Sequence, residues 1–210
     1  MEWYNLLVLK TRTYIREASF KPIISLFLER STSATLVQCL IKKWWDTTHT
    51  FHITEQEMTV TPYNFYRMTN LSFRGAIISL DGVSDIQLGL VMLGRKYSIE
   101  TIYYFDLVLD YMLLPQRTTE ERICMARAFL LPLSGAYLFD NGGQTMSLRW
   151  LTLFQDFAEA WRANWGQACL AYLYSTLDTH SQGTLQQFMG HWKLLEVSFL
   201  SISCISICSL

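Results

Sequence analysis

The chain is short of charge, proline and glycine. Only 17% of its 210 residues are charged, and the formal net charge is −1. That balance gives no broad electrostatic grip on a nucleic-acid backbone, and no local run of lysine and arginine stands out. Four prolines and ten glycines leave no low-complexity linker. Neither GxxxxGK[ST] nor GxGxxG occurs, so no phosphate-cradling loop is written in the sequence. A GxSxG nucleophile elbow is absent too, as is any CxxC pair. The cysteines, Cys39, Cys124, Cys169, Cys204 and Cys208, are odd in number, and reduced intracellular thiols are the expectation. The longest apolar run, Val197 to Leu210, has 14 residues, against roughly 20 needed to span a bilayer, so no membrane anchor is expected. Met1 leads into a mixed segment with Lys10, Arg12 and Arg16, which does not read as a signal peptide.

What is present is apolar bulk. Half the residues are hydrophobic, with 7 Trp, 11 Tyr and 12 Phe, enough to bury a sizeable core. The densest stretch runs from Trp44 to Thr61, WWDTTHTFHITEQEMTVT. It holds two tryptophans, two histidines, three carboxylates and six threonines in eighteen residues. Either it is a metal or acid–base site, or it is a structural junction.

Periodicity places the elements. Leu36, Val37, Leu40, Ile41 and Trp44 recur at helical spacing, which predicts a helix over Ser33 to Trp45 with Lys42 and Lys43 near its C-terminus. That phase puts Trp44 in the core and leaves Trp45 half exposed. Thr50 to Ile53 and Met58 to Val60 are short β-prone runs, joined by Thr54 to Glu57 as a hairpin loop. Thr61-Pro62 supplies a hydroxyl cap and a first-turn proline, so a short helix follows over Tyr63 to Asn70. Gly75 breaks the chain, and Asp81-Gly82 marks a turn.

Helices are then expected over Val83 to Leu93 and from Ser98, the latter with Ile99, Ile102, Phe105, Leu109 and Met112 as its apolar stripe. Thr119 opens another, which Pro132 and Gly135 kink or divide. Asp140 to Gly143 is a loop without the alternating oxygen ligands of a calcium site. Ser147 caps a helix with Leu148, Leu151, Phe154, Ala158 and Trp161 on one face. Trp165 to Leu177 and Thr184 to Leu195 complete the series. The fold class is mainly α: a compact multi-helix domain with one small β-hairpin near residues 50–60.

His49 and His52 are a possible metal pair, with Glu57 as a third ligand and Asp140 as a fourth. The spacing is not that of HExxH, in which two histidines share a helical face. In a strand His52 points away from Phe51 and Ile53, and the set does not converge in so short a segment. Glu55 and Glu57 as a paired acid and base meet the same objection, since they fall in or beside the turn. Trp44 and Trp45 offer stacking surfaces for a base or a sugar. Cys204 and Cys208 share a helical face; His180 and His191 stand alone. No catalytic residue, metal or cofactor is therefore assigned, and the stretch reads as a helix–hairpin–helix junction.

The order of these blocks resembles the plant mobile domain family, also called aminotransferase-like, plant mobile domain. The matching residues are Trp45, Thr48, His49, Thr50, Phe51, Glu57, Met58, Thr59, Thr61, Leu71 and Gly75. Ala126 to Leu131, Gly135, Leu138-Phe139, Trp165-Gly166, Leu170 to Tyr174, Gly190 and Leu194-Leu195 continue the match. The resemblance runs from Leu36 to Glu196. Gln56 stands where the family usually has glycine, and Pro62 and Asn64 replace a leucine and an aspartate. It divides the chain into a helical lead-in (1–32), the domain (33–196) and a divergent apolar tail (197–210) that reads as a truncated or alternative ending.

The resemblance implies a plant protein, kin to domains of transposable elements. It implies a nuclear, non-enzymatic role in transposon silencing, gene expression and meristem maintenance; the alternatives are a transposon-derived enzyme or nucleic-acid-processing remnant with a metal site, and an inactive truncated fragment. It also implies protein partners, among them a phosphatase-like nuclear protein, and leaves direct DNA binding open. No pyridoxal-phosphate lysine motif accompanies the aminotransferase-like label, so that activity is not carried over.

Overall fold

The computed structural model describes residues 2–18, 34–53, 55–80, 85–139 and 145–183. The expected Ser33 cap, the Asp81-Gly82 turn, the Asp140 loop, the Thr184–Leu195 helix and the 197–210 tail lie outside the described residues, with His191, Cys204 and Cys208. The architecture is mainly α. Its helices are α1 (Glu2–Leu6), α2 (Leu9–Glu17), α3 (Ala34–Ile41), α4 (Pro62–Thr69), α5 (Asp85–Leu93), α6 (Tyr104–Tyr111), α7 (Thr119–Pro132), α8 (Phe157–Ala160) and α9 (Trp165–Ser181). Among the described residues, no helix is long and apolar enough to cross a membrane.

Strands β1 (Trp44–Trp45), β2 (Thr50–Ile53) and β3 (Gln56–Met58) form an antiparallel meander in that order. The expected helix through Trp45 therefore stops short. The last turn of α3 closes with Lys42 N–H to Gln38 and Lys43 N–H to Leu40, after which the Lys43 carbonyl accepts from His52 N–H at 2.8 Å. The sheet takes the backbone that the helix would have used. Trp44 is buried as expected, but by strand alternation and not by helical phase. The expected hairpin is the β2–β3 half of this meander, but its second strand is Gln56–Met58 and not Met58–Val60, so Gln56 and Glu57, expected in the loop, pair with Ile53 and His52.

A second sheet was not legible in the pattern. β4 (Thr101–Tyr103) pairs antiparallel with β5 (Thr145–Ser147). The strand delays the start of α6 to Tyr104, so the expected stripe is broken. Ile102 is buried as a strand residue, and α6 buries Leu107 and Tyr111 while Ile99, Phe105 and Leu109 face outward.

Other expectations shift by small amounts. Thr61 caps α4 as foreseen, accepting from Asn64 N–H at 3.2 Å, with Pro62 at the first position and Asn70 left-handed at the end (φ 54°). The cap of α7 is Thr118, not Thr119, in a reciprocal box with Glu121. Those two backbone N–H bonds, from Thr118 and Arg117, hold the Glu121 carboxyl below its usual range. Past Pro132 the helix widens into π turns over Leu133–Leu138. After Ser147 the chain forms a 3-10 helix over Leu148–Phe154 and then α8. The buried residues Leu148, Leu151, Phe154, Phe157 and Ala160 come every third position, the 3-10 period, so Ala158 and Trp161 turn outward.

The N-terminal helices pack on the body. Trp3, Leu7 and Ile15 are buried, and Trp3 meets Phe129 of α7 edge-on at 5.4 Å. Gln116 accepts from Val8 N–H and from the Thr11 hydroxyl, tying the α1–α2 turn to the approach to α7.

Candidate functional site

Two of the singled-out residues, Trp44 and His49, meet on α9. This 17-residue helix buries Trp165, Cys169, Leu170, Leu173 and Leu177, and burial alone pushes the Cys169 thiol far above its usual range. Two parts of the chain grip it at opposite ends.

The first grip is the sheet. In an antiparallel pair, residues directly opposite share a face. Trp44, Phe51 and Met58 are opposite one another, and their row faces inward. Trp44 packs edge-on against Phe51 at 4.7 Å and against Tyr174 of α9 at 5.4 Å. Its indole Nε1–H donates to Asp178 Oδ1 at 2.7 Å. His49 reaches the same carboxylate, Nε2 to Oδ2, at 3.2 Å. A left-handed backbone at His49 (φ 53°) precedes β2, and the ring lies flat on Tyr174, 5.4 Å between centroids and 7° between planes. Thr59 donates to the His49 carbonyl at 2.7 Å and lies 2.9 Å from the Tyr174 hydroxyl, which donates to Val60 O at 2.8 Å. Gln182, just past α9, donates to Asp46 at 2.7 Å.

The opposite face of the sheet is open. Trp45 stacks on His52 at 4.3 Å and 21°. His52 Nε2 is 3.1 Å from the Thr50 hydroxyl and 3.8 Å from Glu57. Glu55 sits in the β2–β3 turn with φ 66° and does not join Glu57 in a pair.

The proposed metal set is thereby divided. His49 faces Asp178 on the inner side, whereas His52 and Glu57 face outward with Trp45. Asp140 lies outside the described residues, among which no group of three or more His, Cys, Asp or Glu is placed to hold a metal ion. The arrangement brings two histidine–carboxylate pairs to the sheet, one on each face.

The second grip is a loop. Gly166 N–H donates to Ser72 O at 2.8 Å, Asn164 N–H to Ala76 O at 2.9 Å, and Ala76 bridges Ala163. Gly75 has φ +114°, and a Cβ there would stand 1.6 Å from the Arg162 carbonyl oxygen. A Cβ on Gly166 would meet the Phe73 ring at 2.5 Å. Both glycines are needed for one seam. Trp165 closes it from inside, with Nε1–H donating to Ala160 O at 2.7 Å.

Of these groups, sequence reasoning missed Asp178. Its signal was available: it is the one acidic or basic side chain, histidine aside, in α9.

Comparison with known proteins widens the picture. A family model described as Plant mobile domain matches residues 22–200, more than the Leu36–Glu196 stretch on which the resemblance was drawn. Protein MAIN-LIKE 1 of Arabidopsis thaliana is 28% identical over 179 residues, 79% of this chain and 35% of that protein. Protein MAINTENANCE OF MERISTEMS of the same plant is 28% identical over 177 residues, 79% of this chain and 37% of that protein. Its Serine/threonine-protein phosphatase 7 long form homolog is 29% identical over 170 residues, 77% of this chain and 13% of that protein. The chain thus spans 13% to 37% of the length of these curated relatives. No solved structure matches.

Proposed function

Because the chain belongs to the plant mobile domain family, we propose that it is a non-enzymatic interaction module of the nucleus, acting in transposon silencing, gene-expression control and meristem maintenance. One observation supports the non-enzymatic reading most. The Asp178 carboxylate that could orient a catalytic His49 also holds the indole of buried Trp44. A group fixed on both oxygens by the fold is placed for cohesion between β1 and α9. The name of one relative supports the meristem role, and that of another supports a phosphatase-like partner.

A fluorescent fusion in plant cells, with transposon and meristem-gene transcripts measured after the gene is disrupted, tests this reading. Nuclear fluorescence and raised transposon transcripts are expected. A cytosolic protein whose loss leaves those transcripts unchanged would reject it. The rival reading, a transposon-derived enzyme with His49, His52, Glu57 and Asp140 as ligands, requires a stoichiometric divalent ion in the purified protein that His52→Ala removes.

A further inference from the structure

Helices α5, α6 and α7 border a groove of about 560 Å³, a volume typical of small-molecule sites. Its walls are mostly apolar, with Val91 and Met92 from α5 and Leu114 from the turn after α6. From α7 come Glu120, Ile123, Cys124 and Arg127, whose helical spacing puts them on one face. The two ends of the groove differ in charge. Glu120 and Glu121 stand at one end, and Arg127 stands about 10 Å further along the helix axis.

The Arg127 end is short of negative charge. Its Nε donates to Phe154 O at 3.0 Å and one Nη to Gln155 O at 3.2 Å, and the guanidinium lies 6.0 Å from the Phe157 ring. Among the described residues, no carboxylate pairs with Arg127 and its other Nη has no partner. Burial pulls the guanidinium below its usual range, because it has lost water without gaining a counter-ion. The other inner polar groups of the groove are engaged. Glu121 accepts from the Arg117 and Thr118 N–H groups. The Tyr111 hydroxyl and the Cys124 thiol both donate to the Leu93 carbonyl, at 2.9 and 3.1 Å. Burial raises both groups, so they stay protonated and offer no nucleophile. The groove is built to bind, not to react.

We propose that this groove binds a small amphiphilic carboxylate, its apolar body against Val91, Met92, Leu114 and Ile123 and its carboxylate on the unpartnered Nη of Arg127. The glutamates fix the orientation, since they repel the anionic head from their own end. They also disfavour a doubly charged head such as a phosphate monoester, because a single guanidinium faces two carboxylates across the groove.

Isothermal titration of the full chain with 2-naphthoate and with 2-naphthamide, alike in shape and different in charge, is the test. One 2-naphthoate should bind per chain, and 2-naphthamide should bind about 10–100-fold more weakly. Val91→Trp, at an exposed position, should block the groove and weaken both probes at least ~10-fold with unchanged melting. Arg127→Gln should bring 2-naphthoate down to the level of 2-naphthamide and leave 2-naphthamide unchanged, a split that loosened packing alone would not produce. Should that variant fail to fold, the preference of the wild type and the effect of Val91→Trp still decide. No saturable binding of 2-naphthoate below about 1 mM would overturn the proposal. So would equal affinity for the two probes, or binding that Val91→Trp leaves intact.

Discussion

Two adjacent tryptophans differ in almost every physical respect. Trp44 is 4% exposed and its indole N–H is fixed on Asp178. Trp45 is 55% exposed and rests on His52. One strand residue separates the inner face of the sheet, which joins α9, from the outer face, which touches little beyond itself. The contrast teaches that the dense Trp44–Thr61 stretch is not one site. It is two faces with different tasks, and each histidine goes with its own face.

The largest effect should come from the inner tryptophan. Trp44→Ala removes a buried ring from a packed cluster and should lower unfolding stability by about 3–5 kcal/mol in urea denaturation. A loss below about 1 kcal/mol would put Trp44 on a par with its neighbour and erase the contrast. Gly75→Ala probes the other grip on α9. A methyl group directed at the Arg162 carbonyl, on a backbone with φ +114°, should destabilise by about 2–4 kcal/mol. If Gly75→Ala melts like the wild type, the seam is not a lock.

Asp178→Ala leaves the buried Trp44 N–H without its acceptor and should cost about 1–3 kcal/mol. The smallest effects belong to the outer face. Trp45→Ala and His52→Ala should each shift stability by less than about 1 kcal/mol. Elemental analysis of the purified protein should find no stoichiometric metal either before or after His52→Ala. A bound ion lost on that substitution would turn the outer face into a site and reverse the assignment of roles.

Local signals carried much of the fold into view. Thr61-Pro62 announced α4 because cap chemistry is contained within four residues. The mainly α class followed from the helical spacing of apolar residues. What stayed hidden was non-local. Trp44 and Trp45 look like helix until β2 is there to pair with them. The β4–β5 ladder joins residues more than forty positions apart, and it turns Phe105 and Leu109 outward although their spacing suggests core. The site was half legible. The pointing of His52 away from Phe51 followed from alternation, whereas the burial of Trp44 was foreseen from a helical phase that the strand replaces. Asp178, 129 residues beyond His49, was not foreseen: standing as the lone charge of α9, histidine aside, marks the residue, but nothing local to either residue marks the contact.

The central claim is that the inner face works as a lock through Asp178. A double-mutant cycle between Trp44→Phe and Asp178→Ala tests it most directly, because the first change deletes the indole N–H while keeping an aromatic ring. The account predicts a coupling energy of about 1–3 kcal/mol in chemical denaturation. Additive effects, with coupling below about 0.3 kcal/mol, would contradict it.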